Sequence, residues 1–108
     1  MRPYLGEFEE IVLLLVAVQH DEAYGFSITK AIEEKLSRAV TMSSVHTALY
    51  RLEEKGLVQS RVGGATSERG GRSKRLFTIT AQGKEALLEA KKMREQIWSW
   101  IPKTVLVL

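Results

Sequence analysis

The segment "IVLLLVAV", residues 11–18, constrains this chain more than any other stretch. It follows Glu7, Glu9 and Glu10 and is too short to span a bilayer, which takes about 20 apolar residues. It also lacks the basic start and small-residue cleavage site of a signal peptide. Phe8, Ile11, Val12, Leu15 and Val18 recur at helical spacing, while Leu13, Leu14 and Val16 fill the other faces. A helix apolar on nearly all sides must be covered on nearly all sides. A chain of 108 residues forms one domain and can cover one face of an edge helix. The surplus predicts a second subunit.

Cysteine is absent, which removes disulfides and thiolate metal sites and fits a reducing compartment. With no signal peptide and no membrane span in the pattern, the chain reads as soluble and cytoplasmic. After "HDEAYG" breaks the first helix, "FSITKAIEEKLSRAV" carries Ile28, Ile32 and Leu36 four apart, a thinner stripe that predicts a half-exposed helix. "VTMS" suits a connector or a one-bridge strand. Ser43 or Thr41 then caps a third helix, "SSVHTALYRLEEKG", with Val45, Leu49 and Leu52 inward and Gly56 at its end.

"LVQSRVGG" and "KRLFTIT" read as the two strands of an antiparallel hairpin, Phe77 and Ile79 on one face and Thr78 on the other. Thr80 caps a last helix that Pro102 stops. Along it Ala86, Ala90, Met93, Ile97 and Trp100 alternate steps of four and three, a narrow seam suited to another helix. The order of helix, helix, helix, hairpin, helix is mainly α with a small β-hairpin: a winged helix-turn-helix over residues 1–80, a dimerisation helix over 81–102, and a tail over 103–108. The tail "TVLVL" suits a strand or an extra dimer contact.

Net charge is +3, yet residues 61–75 hold five basic side chains against one acidic, so the remainder of the chain sums to −1. A basic loop on a near-neutral body is an address for phosphate, with a merely solvated loop as the plain alternative. In a helix-turn-helix, the start of the second helix meets base edges in the major groove. Here that start offers Ser43, Ser44, His46 and Thr47, with Arg51 one turn on to reach a phosphate or a guanine. Each has a plainer reading: Ser43 as a cap, His46 as a surface histidine, Arg51 as an ion-pair partner on a solvated face. In the wing, Gly70 and Gly71 let backbone approach a duplex without a Cβ in the way. Arg69, Arg72 and Lys74 supply phosphate contacts or an arginine in the minor groove.

The stretches "EFEEIVLLLVAV", "AYGFSITKAIEE", "TALYRLEEKGLV" and "GGRSKRLFTITAQGKEAL" closely resemble the PadR family of bacterial transcriptional regulators. The resemblance runs from about Glu7 to Trp100, and its most specific part is the wing signature of two glycines, Arg72, a basic pair, an aromatic, then Thr80 and Gly83. It implies a homodimeric repressor of the small subgroup with a single terminal helix, binding double-stranded DNA at a pseudo-palindromic operator. The terminal helix would pack against the partner's first helix, an interface drawing on Phe8, Leu15, Met93, Ile97, Trp100 and Ile101. Some members release DNA on binding an aromatic or drug-like effector, and one such member carries tryptophan on the terminal helix. Trp98 is therefore the candidate ligand contact, although the matching offset from Gly83 falls on Arg94.

The chain departs from the family where recognition is decided. Ser43, His46 and Thr47 stand where the family commonly has a glycine and a tyrosine-proline pair; Ser73 replaces the wing proline and Leu76-Phe77 a pair of tyrosines. These departures leave the fold intact and put the operator in question. An enzyme is the poorer reading, since His20 and His46 lie on separate elements without a partnered nucleophile. "HDE" holds no converging metal site, the glycine pairs lack a phosphate-binding loop's lysine, and no cofactor is expected. The serious rival is a winged helix used only for protein-protein contacts.

Overall fold

In the computed structural model, residues 5–65 and 73–107 are described. Helix α1 spans Glu7–Gln19 and passes through a 3-10 turn at His20–Glu22 into α2, Gly25–Lys35. Helix α3 covers Met42–Glu54, strands β1 and β2 cover Val58–Ala65 and Ser73–Ile79, and α4 covers Ala81–Trp100. A single 3-10 turn, Lys103–Leu106, follows Pro102. The winged helix-turn-helix is thus observed, and the tail is a turn rather than a strand.

Each boundary has a local cause. Thr41 settles the open choice of cap for α3: its Oγ1 accepts the Ser44 N–H at 3.1 Å, and Ser43 lies inside the helix. At the other end Gly56 adopts φ +77°, a left-handed turn that a side chain would resist. Thr80 then fastens α4 to that turn. Its Oγ1 accepts the Gly83 N–H at 3.0 Å and donates to the Gly56 carbonyl at 2.7 Å, while its N–H donates to the Leu57 carbonyl at 3.0 Å. A Cβ on Gly83 would collide with that Leu57 carbonyl oxygen, so α4 can start this close to the chain only on a glycine. The Thr80–Gly83 pair of the wing signature is the hook that sets the direction of α4.

The core gathers Val12, Leu13 and Val16 from α1, Ile28 and Ile32 from α2, Val45, Leu49 and Leu52 from α3, and Phe77 from β2. All are essentially sealed from water, each contributing roughly 1.5–3 kcal/mol of burial. Two helical expectations need correction. Val18 is exposed and Leu13 and Val16 are core, because α1 turns its 12–13–16 face to α3 and the hairpin. Leu36 is exposed because α2 has ended there, and Ala31 and Thr29 take the buried places beside Ile28 and Ile32.

The hairpin pairs Val58 with Ile79 and Ser60 with Phe77, and its register shifts between Val62 and Ala65. Simple alternation fails at Leu76, buried next to buried Phe77: Leu76 lies across Gly63 on the neighbouring strand, where a Cβ would crowd it. The one-bridge strand exists, but at Ala23 rather than in "VTMS". The Phe77 N–H donates to the Ala23 carbonyl at 2.8 Å, adding a third extended segment beside the wing.

Three glutamates open α1, a favourable place beside the positive end of the helix dipole. Each also holds a cation from a different element. Glu7 takes both guanidinium nitrogens of Arg38 at 3.0 and 3.1 Å, Glu9 takes Lys55 at the end of α3, and Glu10 takes Arg94 of α4 at 2.7 Å. The start of α1 therefore ties together the helix-turn-helix linker, the end of α3 and the middle of α4.

Candidate nucleic-acid interface

On α3 the outward stripe is Ser43, Thr47 and Arg51, spaced four apart and all exposed. Their opposite numbers, Val45, Ala48, Leu49 and Leu52, are buried, so the orientation of the stripe is fixed by the core. The hydroxyls are already partly engaged. Ser44 Oγ donates to the Thr41 carbonyl at 2.8 Å, and Thr47 Oγ1 donates to the Ser43 carbonyl at 2.9 Å. In this arrangement they face outward chiefly as acceptors, while the Arg51 guanidinium is a donor only.

His46 stands apart from that stripe. Its imidazole lies over Gly25 at the start of α2, in space that a Cβ there would occupy, and its ring centre sits 6.0 Å from Tyr50. Tyr50 in turn meets Phe77 of β2 edge-on at 6.4 Å. His46 is therefore half-buried and supports the junction of α2, α3 and wing while keeping one edge at the surface. Beside it, Lys74 Nζ lies 4.2 Å from the centre of the Tyr24 ring, a cation–π contact that holds the base of the wing toward α2. Arg75 donates to Ser60 Oγ at 2.9 Å, and Ser60 Oγ donates to Glu53 on α3 at 2.6 Å.

These contacts frame a groove of about 280 Å³ between α3 and the hairpin, walled by Tyr24, His46, Tyr50, Val62, Lys74 and Arg75. Tyr24, Tyr50, Val62 and Arg75 had no place among the sequence-derived contacts. Tyr50 packs its ring against His46 and Phe77 at the edge of α3 while half of it stays exposed, so it supports the junction and lines the groove as well. The signal for Tyr24 was present in "AYG", a large ring beside a glycine that another ring covers. Arg69, Gly70, Gly71 and Arg72 lie outside the described residues.

Helix α4 carries the other predicted contacts. Ala86 and Leu87 lean on the core, but every residue over 91–100 is exposed, Met93, Ile97, Trp98 and Trp100 among them. Phe8 and Leu15 are partly buried against the body, with the Arg38 guanidinium 5.6 Å above the Phe8 ring, and Ile101 is half-buried. The open apolar surface of α1 is Leu14 and Val18, which the sequence-derived interface omitted. Among the described residues no helix is long and apolar enough to cross a membrane, and no group of three or more acidic or histidine side chains could hold a metal ion.

A recognition-type helix beside a basic hairpin, with a third extended segment at Ala23, defines the winged-helix class. The description "Transcriptional regulator PadR-like family" matches residues 13–89, and the chain belongs to that family. Its fold is shared by a PadR-like transcriptional regulator from Bacillus cereus (TM-score 0.72, 20% identity, covering 94% of this chain and 93% of that one). A PadR-like transcription factor from Bacteroides fragilis gives TM-score 0.73 at 18% identity, covering 85% and 84%. Bacillus subtilis PadR, solved in complex with operator DNA, gives TM-score 0.62 at 23% identity, covering 76% of this chain and 45% of that one. No curated protein sequence matches the chain significantly.

Proposed function

We propose that this PadR-family transcriptional regulator is a cytoplasmic homodimeric repressor that binds a pseudo-palindromic operator in double-stranded DNA. One observation carries the reading. The core presents Ser43, Thr47 and Arg51 outward on one stripe of α3, and the groove beside that stripe leads to Lys74 and the basic wing. Ser43, Thr47 and Arg51 meet base edges and phosphates in the major groove, and Ser44 at the helix start holds the cap. His46 sets the angle of α3 against α2 and offers its free edge to the duplex. Lys74 and the wing residues Arg69, Gly70, Gly71 and Arg72 lie along the backbone or in the minor groove. Dimerisation uses Met93, Ile97 and Trp100 of α4, with Ile101 just past its end, against the partner's α4 and α1, and Phe8 and Leu15 at the margin. Trp98, exposed on the same arm, is the contact for an aromatic or drug-like effector that releases DNA.

Selection of bound fragments from a random DNA pool tests this directly. The expected product is a symmetric site whose half-site centres lie about 34 Å apart, one helical turn. Affinity should fall with salt at a logarithmic slope of about −0.9 per phosphate neutralised. Reversing Arg72 and Lys74 to glutamate should flatten the slope, whereas Thr47→Ala should change base preference at one position per half-site. An unstructured pool and salt-independent behaviour would favour the protein-contact alternative.

A further inference from the structure

A threonine hydroxyl ordinarily reads either kind of base edge, because it carries one donor and two acceptor lone pairs. On α3 the helix has already taken the donor. Thr47 Oγ1 lies 2.9 Å from the Ser43 carbonyl oxygen. A carbonyl oxygen only accepts, so the hydroxyl hydrogen points back into the preceding turn. The lone pairs are left to the outside, since Thr47 is exposed while its neighbours Ala48 and Leu49 are buried. Ser44, on the half-buried flank of the same helix, spends its hydrogen in the same way on the Thr41 carbonyl at 2.8 Å. Ser43 differs: it lies 3.3 Å from Thr41 Oγ1, and either hydroxyl can supply the hydrogen between them. Thr47 is thus an exposed hydroxyl whose polarity the backbone fixes.

Few partners suit an acceptor in that place. Phosphate oxygens only accept, so Thr47 meets one favourably only by giving up its bond to Ser43. Donors for the phosphates stand elsewhere, in Arg51 on the same stripe and Lys74 at the base of the wing. On the floor of the major groove, guanine N7 and O6, adenine N7 and thymine O4 are acceptors as well. The donors there are the exocyclic amino groups, N6 of adenine and N4 of cytosine. Every base pair carries one, set toward one strand, so a fixed acceptor tells a pair from its reverse. Residue type alone gives threonine no such preference; the hydrogen bond to Ser43 does.

We propose that Thr47 determines specificity by accepting a hydrogen bond from the exocyclic amino group of an adenine or a cytosine in each half-site. This rests on the operator binding proposed above and deepens it at one residue. For the test, the operator recovered from the random pool is remade with single analogues in one half-site. Purine replaces each adenine in turn and 2-pyrimidinone each cytosine, deleting one amino group at a time. At one position the unaltered protein should lose affinity about fivefold, the worth of a typical hydrogen bond. Thr47→Val keeps the branched shape without the hydroxyl. It should bind the natural operator about fivefold more weakly and lose nothing further with that analogue, and Thr47→Ala should repeat the result. Any weakening of the duplex by the analogue acts on all the proteins alike, so the missing second loss ties Thr47 to that amino group. Thr47→Ser, which restores a hydroxyl, should lose with the analogue as the unaltered protein does. The analogue that produces the effect names the base. Losses that multiply at every position overturn the amino contact and leave operator binding standing. So does an equal weakening of Thr47→Val on operator and on random DNA. A pool with no enriched site overturns both.

Discussion

The body of the molecule and the outer half of α4 obey different rules. In the body, apolar spacing is answered within the chain: Val45, Leu49 and Leu52 of α3 meet Val12, Val16 and Phe77, and every one is sealed. On α4 the same kind of spacing goes unanswered, and Met93, Ile97 and Trp100 face water. A periodic apolar stripe records that a surface is to be covered, and says nothing about which molecule covers it. The difference in burial tells the two cases apart.

The comparison breaks most visibly if core and arm respond alike to substitution. Phe77→Ala removes a side chain that is 1% exposed and should cost about 3–5 kcal/mol of folding free energy, measured by urea unfolding. Ile97→Asp, at 47% exposed, should leave the unfolding of the isolated subunit almost unchanged. In the proposed dimer its effect should fall on association: a dissociation constant raised roughly a hundredfold, about 2.7 kcal/mol, with binding to the proposed operator weakened accordingly. A persisting dimer would place the seam on another face of α4.

Gly83→Ala tests the joint between the two regions. The added Cβ must displace the Leu57 carbonyl or tilt α4, and should cost about 1–3 kcal/mol. Because the hook aims the arm, dimer affinity should fall together with stability. Loss of stability with unaltered association would mean that α4 finds its direction from Arg94 and Glu10 alone.

Much of this architecture is legible in the chain because its punctuation is local. The turn at Gly56 and the cap that Thr80 gives to Gly83 act within a few residues and follow from turn and cap chemistry, whereas the bond from Thr80 to the Gly56 carbonyl spans twenty-four residues and was not legible. The bridge at Ala23 involves a single residue, too short for any periodicity to register. His46 fits the outward face of α3 by spacing, yet its half-buried position comes from Gly25, twenty-one residues earlier, which offers the room a side chain would have filled. The shared role of Glu7, Glu9 and Glu10 was equally hidden: a helix-start preference for acid explains their presence, whereas their three partners come from distant parts of the chain. In the candidate site, residue types and their order could be read, but the side chains that hold them at the right angle could not.

The smallest expected effect concerns the outermost of those pairs. The Arg38 guanidinium, chiefly through its hydrogen bonds and then through its charge, holds the Glu7 carboxyl below its ordinary value. A carboxylate whose folded value is lowered stabilises the protein above its unfolded titration range, and that contribution is lost as pH falls through the folded value. Arg38 is shifted upward by the same contact and stays charged throughout. Thermal unfolding of the unaltered protein and of Glu7→Gln should therefore differ slightly at neutral pH and converge below the usual carboxylate range. Both side chains are exposed, so added salt should narrow the neutral-pH gap as well. A gap that survives both acid and salt would mean that Arg38 acts by covering the Phe8 ring rather than by pairing with Glu7, and would assign that corner of α1 to the body's packing.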